Sequence, residues 1–327
     1  MFFVAGCGGS SVGGPSAPPP PSKLFVADAA NRAIGSLIDP NPAPGTLAVD
    51  RIVAGPSTGL GTPGGTPSVA SIPSIALDAA GDRLYVAVQG SALVFDHIGT
   101  VNGDVPRSRS LQSVVNAHVV NFFGLHITAA DTLYAVEPTG EVRVFNNAST
   151  LDGAVAPDRT ITPNIGAAIN STFGVVVDAG QDMLYVGVAP SSSSIVVFNN
   201  AATANATLAP DRTLNFSAAV GSFCLDQDRD ILYVAQSDGR IVSFDNASAL
   251  ATGTPTPNRT MTLTTITTSS KQLFVTVDTD NNRLYAVNGT TVFIVSGASI
   301  ADDAMLGATQ LTVSPASTLL SAVAVRP

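Results

Sequence analysis

The chain has 327 residues, of which 45% are hydrophobic and 12% charged, and its formal net charge is −9. This apolar composition argues against intrinsic disorder, and the acidic balance without a Lys/Arg cluster argues against a nucleic-acid partner. Beyond the N-terminus no apolar run reaches ~18 residues, which excludes a membrane-spanning helix.

The first predicted feature is an N-terminal lipid anchor. The sequence Val4-Ala5-Gly6-Cys7 resembles the bacterial lipobox, whose cysteine is lipidated and becomes the mature N-terminus. Residues 8–22 are Gly, Ser, Pro and Ala with one Val, a composition typical of a flexible tether. A lipid on Cys7 would anchor the protein without embedding it. Gly8, in the place of an Asp, implies the outer membrane of a Gram-negative cell.

The leader before the lipobox is short. Only six residues precede Cys7, with no basic n-region and almost no h-region. We therefore interpret residues 1–22 as a truncated signal remnant and tether, and residues 23–327 as one domain. Cys224, inside an apolar strand, is expected to be a buried free thiol.

The domain is built from a repeated phrase: a short apolar strand, a few Asp, Gly or Asn residues, then Leu-Tyr-Val-Ala or a close variant. The copies span Ile75 to Val88, His126 to Val136, Val175 to Val188, Cys224 to Ala235 and Val275 to Val287. The period of the Leu-Tyr pairs is about 50 residues, which is typical of β-propeller blades.

Each repeat carries two further strand signals. An alternating strand ends in Phe, at Ala92 to Asp96, Val142 to Asn146, Ile195 to Asn199 and Ile241 to Asp245. A strand introduced by Pro-x-Arg-Thr follows, at Pro157 to Ile161, Pro210 to Leu214 and Pro257 to Met261. Proline is tolerated at a sheet edge, so this last strand is predicted to be outermost. The order is therefore A (apolar, ending in Asp), B (Leu-Tyr), C (Val-Phe) and D (Arg-Thr).

The first copy begins in strand B, at Leu24. It continues through a strand C from Ala33 to Asp39 and a strand D from Leu47 to Val53, and it lacks strand A. A surplus apolar strand ends the chain, from Leu320 to Val325. The sequence thus predicts an all-β, six-bladed propeller of four-stranded antiparallel blades, whose C-terminal strand completes blade 1 and closes the ring.

Residues that recur in nearly every blade are expected to be structural. The Asp pairs at the A–B turns are predicted to cap those turns. The Arg that recurs in strand D is predicted to bond a nearby carboxylate or carbonyl.

These motifs resemble bacterial propellers with NHL-like or YVTN-like repeats, which are often described as lactonase-like. The resemblance runs from Leu24 to the C-terminus and rests on Ile-x-x-Leu-Asp, Leu-Tyr-Val-Ala, Val-Phe and Pro-x-Arg-Thr-Ile. It implies the fold and leaves the activity open, because propellers host binding, scaffolding and catalysis alike.

Candidate functional residues lie where the repeat is broken. Polar residues without counterparts in the other blades gather around blades 2 and 3, at His118, Asn121, His126, Glu137 and Glu141. Such a group is a candidate ligand-binding or acid–base site on the rim that carries the B–C turns and D–A connections. The alternative is that His126, in an apolar strand, belongs to the core. No catalytic triad or Cys/His metal spacing is found in the sequence.

Two sequence patterns bear on metal binding. Lactonase-like propellers similar to the senescence-marker family hold a divalent metal with Glu, Asn and Asp, but here the inner strands begin with Ser, Phe or Leu. Asp226-x-Asp228-x-Asp230 and Asp278-x-Asp280-x-Asn282 resemble calcium loops, yet they lack the Gly and the distal Glu. We therefore predict no cofactor, with calcium the alternative.

The sequence favours an extracytoplasmic, lipid-anchored binding or scaffold protein, monomeric, whose partner is a protein or a glycan. The alternative is a lactonase-like hydrolase with a divalent metal in the channel.

Overall fold

The computed structural model describes residues 23–38, 45–61, 72–115, 118–169, 171–189, 193–263, 273–303, 309–314 and 319–326. Six β-sheets form the blades of a propeller, and this confirms the predicted fold. No helix in these ranges is long and apolar enough to span a membrane. Cys7, the predicted lipidation site, lies outside the described residues.

The strands of blades 1 to 3 follow the predicted order A to D. Blade 1 contains Leu320–Arg326, Lys23–Asp28, Ala33–Ile38 and Arg51–Ala54. Blade 2 contains Ile75–Asp78, Arg83–Val88, Ser91–Asp96 and Arg109–Val115, with His118–Val119 paired to the last. Blade 3 contains Gly124–Ile127, Leu133–Val136, Val142–Phe145 and Arg159–Pro163.

Blades 4 to 6 repeat the pattern. Blade 4 contains Thr172–Asp178, Met183–Val188, Ser194–Asn199 and Arg212–Asn215. Blade 5 contains Val220–Asp226, Ile231–Gln236, Arg240–Asp245 and Arg259–Thr262. Blade 6 contains Phe274–Asp278, Arg283–Asn288, Thr291–Ser296 and Thr309–Ser314. Neighbouring strands within these A-to-D series are antiparallel.

The Leu-Tyr pair explains how the blades pack. Side chains alternate along a strand, so the Leu and the Tyr of strand B point to opposite faces of the blade. In blade 2, Leu84 packs in the interface with blade 1, whereas Tyr85 packs in the interface with blade 3. Blade 1 has Phe25 at the tyrosine position, in its interface with blade 2. Each interface between neighbouring blades therefore receives one side chain of the pair from each side.

The C-terminal strand closes the ring as predicted. Leu320–Arg326 pairs antiparallel with Lys23–Asp28, with Val323 opposite Val26. The Ser321 hydroxyl donates at 2.8 Å to the carbonyl of Ile72, in the connection that leads into blade 2. Arg326 forms an ion pair with Asp82 of the same neighbouring blade. The last strand is thus fixed to both blade 1 and blade 2.

The outer edges of the blades differ from the prediction. The expected strand from Leu47 to Val53 is two strands, because Gly45–Ala48 leaves blade 1 and pairs parallel with Thr309–Ser314 of blade 6. Gly153–Val155 and Ala206–Leu208 likewise pair parallel with the D strands of blades 2 and 3. The C–D connection of one blade therefore covers the outer strand of the preceding blade, which removes a free sheet edge.

Candidate functional site

The A strands surround a central cavity of about 350 Å³. Four phenylalanines contribute to its wall, Phe123, Phe173, Phe223 and Phe274, and most of its other side chains are aliphatic. The rings of Phe173 and Phe223, from neighbouring blades, meet edge to face with centroids 6.1 Å apart. The described lining contains no Asp, Glu, Lys or Arg. The side chains of the described wall are thus mostly apolar and uncharged, while polar atoms make up about half of its exposed surface.

One ring of channel residues is defined by strand register. The residue opposite the buried aromatic of strand B is Ala324, Ala76, His126, Val176, Cys224 and Thr276 in blades 1 to 6. His126 in blade 3 and Thr276 in blade 6 are three blades apart, so they stand on opposite walls of the channel. Of the six residues in this channel ring, His126 and Thr276 have side chains with ordinary hydrogen-bonding groups.

The environment of the ring changes the ionisation of two of its members. Burial among apolar walls disfavours the imidazolium and lowers the pKa of His126 to about 4, so the side chain is neutral at pH 7. Burial, together with the nearby Asp226, raises the pKa of the free Cys224 thiol. The thiol is therefore protonated and inert.

Glu137 and Glu141 are brought together by Arg143. They flank the B–C turn of blade 3, as predicted, and the Arg143 guanidinium donates to both carboxylates, with Nη2 to Glu141 Oε2 at 2.6 Å. Thr160 and Thr162 add hydrogen bonds to Arg143 and to Glu141. Burial, opposed by Arg143, raises the pKa of Glu137. These carboxylates are committed to an internal network.

The remaining predicted residues lie apart from this network. Asn121 Oδ1 accepts the Gly90 N–H of the blade 2 B–C turn at 2.8 Å. The backbone of His118 pairs with Val115 in a short hairpin beside blade 2. His126 faces the channel. The structure therefore unites two of the five residues, and their role in ligand binding stays a prediction.

The recurrent Arg has the partners that the sequence predicts: Arg159 donates to the carbonyls of Ala201 and Ala204 in blade 4, and Arg109 binds the carboxylate of Asp96. Of the Asp pair at an A–B turn, only the first residue caps the turn, as Asp226 does by accepting the N–H of Arg229. The second, Asp230, instead accepts the N–H and hydroxyl of Ser248 in the segment after strand C.

The calcium-like loop at Asp226 also has two of its carboxylates, those of Asp226 and Asp230, occupied by internal hydrogen bonds and an ion pair. Asp226 accepts the N–H of Arg229 and pairs with its guanidinium, and the bonds of Asp230 to Ser248 point elsewhere. Within the described ranges no three His, Cys, Asp or Glu residues gather as metal ligands. Divalent metals such as calcium prefer carboxylate oxygens, so the described channel lining does not fit the metal that lactonase-like chemistry requires.

Comparison with known proteins defines the class of fold. No family model matches the chain, and no curated protein matches it. Among solved structures, a chain of the crystal structure of a nidogen/laminin complex aligns with a TM-score of 0.58 at 15% identity, covering 93% of this chain and 98% of that one. At this identity the likeness shows the fold alone. The protein is a six-bladed β-propeller.

Proposed function

We propose that the propeller is an extracytoplasmic binding or scaffold protein, held at the outer membrane by a lipid on Cys7, with a protein or a glycan as partner. The proposal rests on one observation: the charged side chains of the candidate site already bind one another. Glu137, Glu141 and Arg143 bind one another, and the described channel wall offers no carboxylate. A closed ring whose described residues do not assemble a catalytic set is suited to presenting a surface. The nidogen/laminin structure, a complex, is in keeping with a protein partner.

The position of Lys23 supports a proposal for which surface faces the partner. Lys23 begins strand B of blade 1, so it lies on the face of the A–B turns. There its ammonium donates to the Gly99 carbonyl at 2.7 Å. A tether that leads to Lys23 would therefore hold this face toward the membrane. The opposite face, with the B–C turns and D–A connections, would point to the partner.

The anchor is tested by fractionation. In a host expressing the gene with a complete leader, Cys7→Ser should move the protein from the membrane fraction to the soluble periplasmic fraction. The wild type should resist a high-salt wash, because multiple acyl chains anchor firmly. A wild-type mature N-terminus without lipid in mass spectrometry would refute the anchor.

The orientation is tested with single tryptophans, since the chain has none. Thr139→Trp places an exposed probe at a B–C turn, and Asp228→Trp places one at an A–B turn. With the lipidated protein on vesicles containing a dansyl lipid, energy transfer should be stronger from residue 228. Equal transfer from both positions would refute the orientation while leaving the anchor intact.

The binding role is separated from the hydrolase by two experiments. A photo-crosslinking residue at position 139 should yield an adduct in cells, whereas the same residue at position 228 should not. A lactone-hydrolysis screen with added divalent metals should be negative. Turnover that requires a metal would overturn the proposal in favour of an enzyme.

A further inference from the structure

The channel has a chemistry that the proposed partner surface does not use. Its wall combines phenylalanines and aliphatic side chains with a neutral imidazole at His126. We propose that the channel binds a small, uncharged and mostly apolar molecule that carries one hydroxyl or carbonyl group, and that this group forms a hydrogen bond with His126.

The wall favours an apolar molecule and selects against ions. Its phenylalanine and aliphatic side chains would pack against an apolar molecule and remove its surface from water. A charged ligand would lose its hydration without gaining a counter-charge, because the described lining contains no Asp, Glu, Lys or Arg. The channel is therefore expected to exclude charged ligands irrespective of their shape.

His126 is a polar group of the channel whose hydrogen bonding remains open. A neutral imidazole carries one donor and one acceptor, and no residue in the described ranges forms a hydrogen bond with it. Two serine hydroxyls of the lining are occupied. Ser74 accepts the Leu125 N–H at 3.0 Å, and Ser222 bonds to Leu273 and Val275. A ligand hydroxyl or carbonyl at the level of His126 would complete its hydrogen bonding.

The size of the cavity limits the ligand. The cavity volume of about 350 Å³ corresponds to roughly a dozen liquid water volumes. This is room for a molecule of the size of a substituted phenol. Phe173 and Phe223 would contact the apolar part, and Thr276 on the opposite wall offers a second hydroxyl.

The test uses three probes of one shape: 4-methylphenol, toluene and the anion 4-methylbenzoate. The histidines are labelled with ¹³C, and the His126 resonance is assigned by its loss in His126→Val. Methylphenol should shift this resonance saturably, toluene should bind more weakly, and the benzoate should not bind. In His126→Val the affinity for methylphenol should fall about three- to tenfold, to that for toluene, because one hydrogen bond is lost.

A second variant tests the location. Thr276 lies half-buried on the channel ring, and Thr276→Phe fills space there, so it should reduce the affinity for both neutral probes while His126→Val leaves toluene binding unchanged. Thermal unfolding of both variants shows that they are folded. The proposal is wrong if methylphenol at millimolar concentration leaves the His126 resonance unmoved. It is equally wrong if both variants bind methylphenol like the wild type, since binding would then lie elsewhere.

Discussion

At the scale of single residues, the burial of His126 in the channel wall makes the stability of the protein depend on pH. Its folded-state pKa of about 4 lies below the ordinary value of 6.5. The unfolded chain therefore takes up a proton below pH 6.5 that the folded protein refuses until about pH 4. Stability must fall across this window and the loss is complete below it. Tyr134, opposite in strand B, and Cys224 share this region, and no carboxylate lines it.

Replacing His126 by Val, the residue at this position in blade 4, should remove that loss. Urea unfolding between pH 6.5 and 4 should show that the variant loses roughly 2–3 kcal/mol less stability than the wild type. His97→Asn is the matched control, because His97 is exposed and has a positive φ, which Asn adopts at the corresponding position 147. Parallel pH curves for wild type and His126→Val would contradict the assigned environment.

Ala206 has a backbone conformation that favours glycine. Its φ is +77°, whereas glycine occupies the corresponding position in other blades, with φ of +84° at Gly103 and +75° at Gly153. A Cβ in this region costs about 1–2 kcal/mol, partly offset by the greater freedom of glycine in the unfolded chain.

Ala206→Gly should therefore stabilise the protein by about 0.5–1 kcal/mol in denaturant titration. Gly153→Ala is the reciprocal variant, since a Cβ there meets no atom within 4 Å and adds only backbone strain. It should destabilise by about 1 kcal/mol. Shifts of the same sign in the two variants would argue against a strained Ala206.

At the scale of elements, the C–D connections bind the D strand of the preceding blade in a common manner. In blades 1 to 5 a side-chain oxygen accepts the N–H of the residue after the recurrent Arg. The acceptors are Asn102, Asp152, Asn205, Thr252 and Asp302. In blades 2, 3 and 6 a parallel strand continues the contact, and in blades 1 and 4 a single bridge does. In blade 5, within the described ranges, only the carboxylates of Asp302 and Asp303 contact the edge of the D strand.

Removing both carboxylates should expose the edge of blade 5. Asp302→Ala with Asp303→Ala leaves the N–H groups of Thr260 and Thr262 without acceptors, and free edge strands associate. We expect a loss of about 1–2 kcal/mol and concentration-dependent association in analytical ultracentrifugation. The control double variant, Asp302→Asn with Asp303→Asn, keeps the acceptor oxygens and should stay like the wild type. Equal sedimentation of the two double variants would show that another segment covers this edge.

The sequence was sufficient for the elements that repeat. The pair seen at Leu84 and Tyr85 recurs because every blade packs against two neighbours. The alternation of side chains within one strand was therefore enough to predict the repeated blades. Gly45–Ala48 was misassigned because its partner strand, Thr309–Ser314, lies over 250 residues away and local pattern carries no signal of it. The ion pair between Glu141 and Arg143 could have been predicted from the sequence, because residues two positions apart lie on the same face of a strand.

At the scale of the whole molecule, the ring is closed twice. The inner closure joins Leu320–Arg326 to blade 1, and the outer closure joins Gly45–Ala48 to blade 6. Both link segments from opposite ends of the chain. Loss of either closure exposes a sheet edge and part of the interface between blades 6 and 1.

Deletion of residues 320–327 therefore tests the inner closure. It removes the buried Leu320, Val323 and Ala324 and leaves the edge of Lys23–Asp28 unpaired. Each large buried apolar side chain contributes about 1.5–3 kcal/mol, so the loss should amount to several kcal/mol, a large share of the roughly 5–15 kcal/mol that stabilises a typical domain. A synthetic peptide of residues 319–327 added in trans should restore the melting temperature, and the same peptide with Val323→Pro should not, because proline cannot continue the ladder opposite Val26. If the truncated protein melts like the full chain, or if both peptides act equally, the strand does not close the ring in solution.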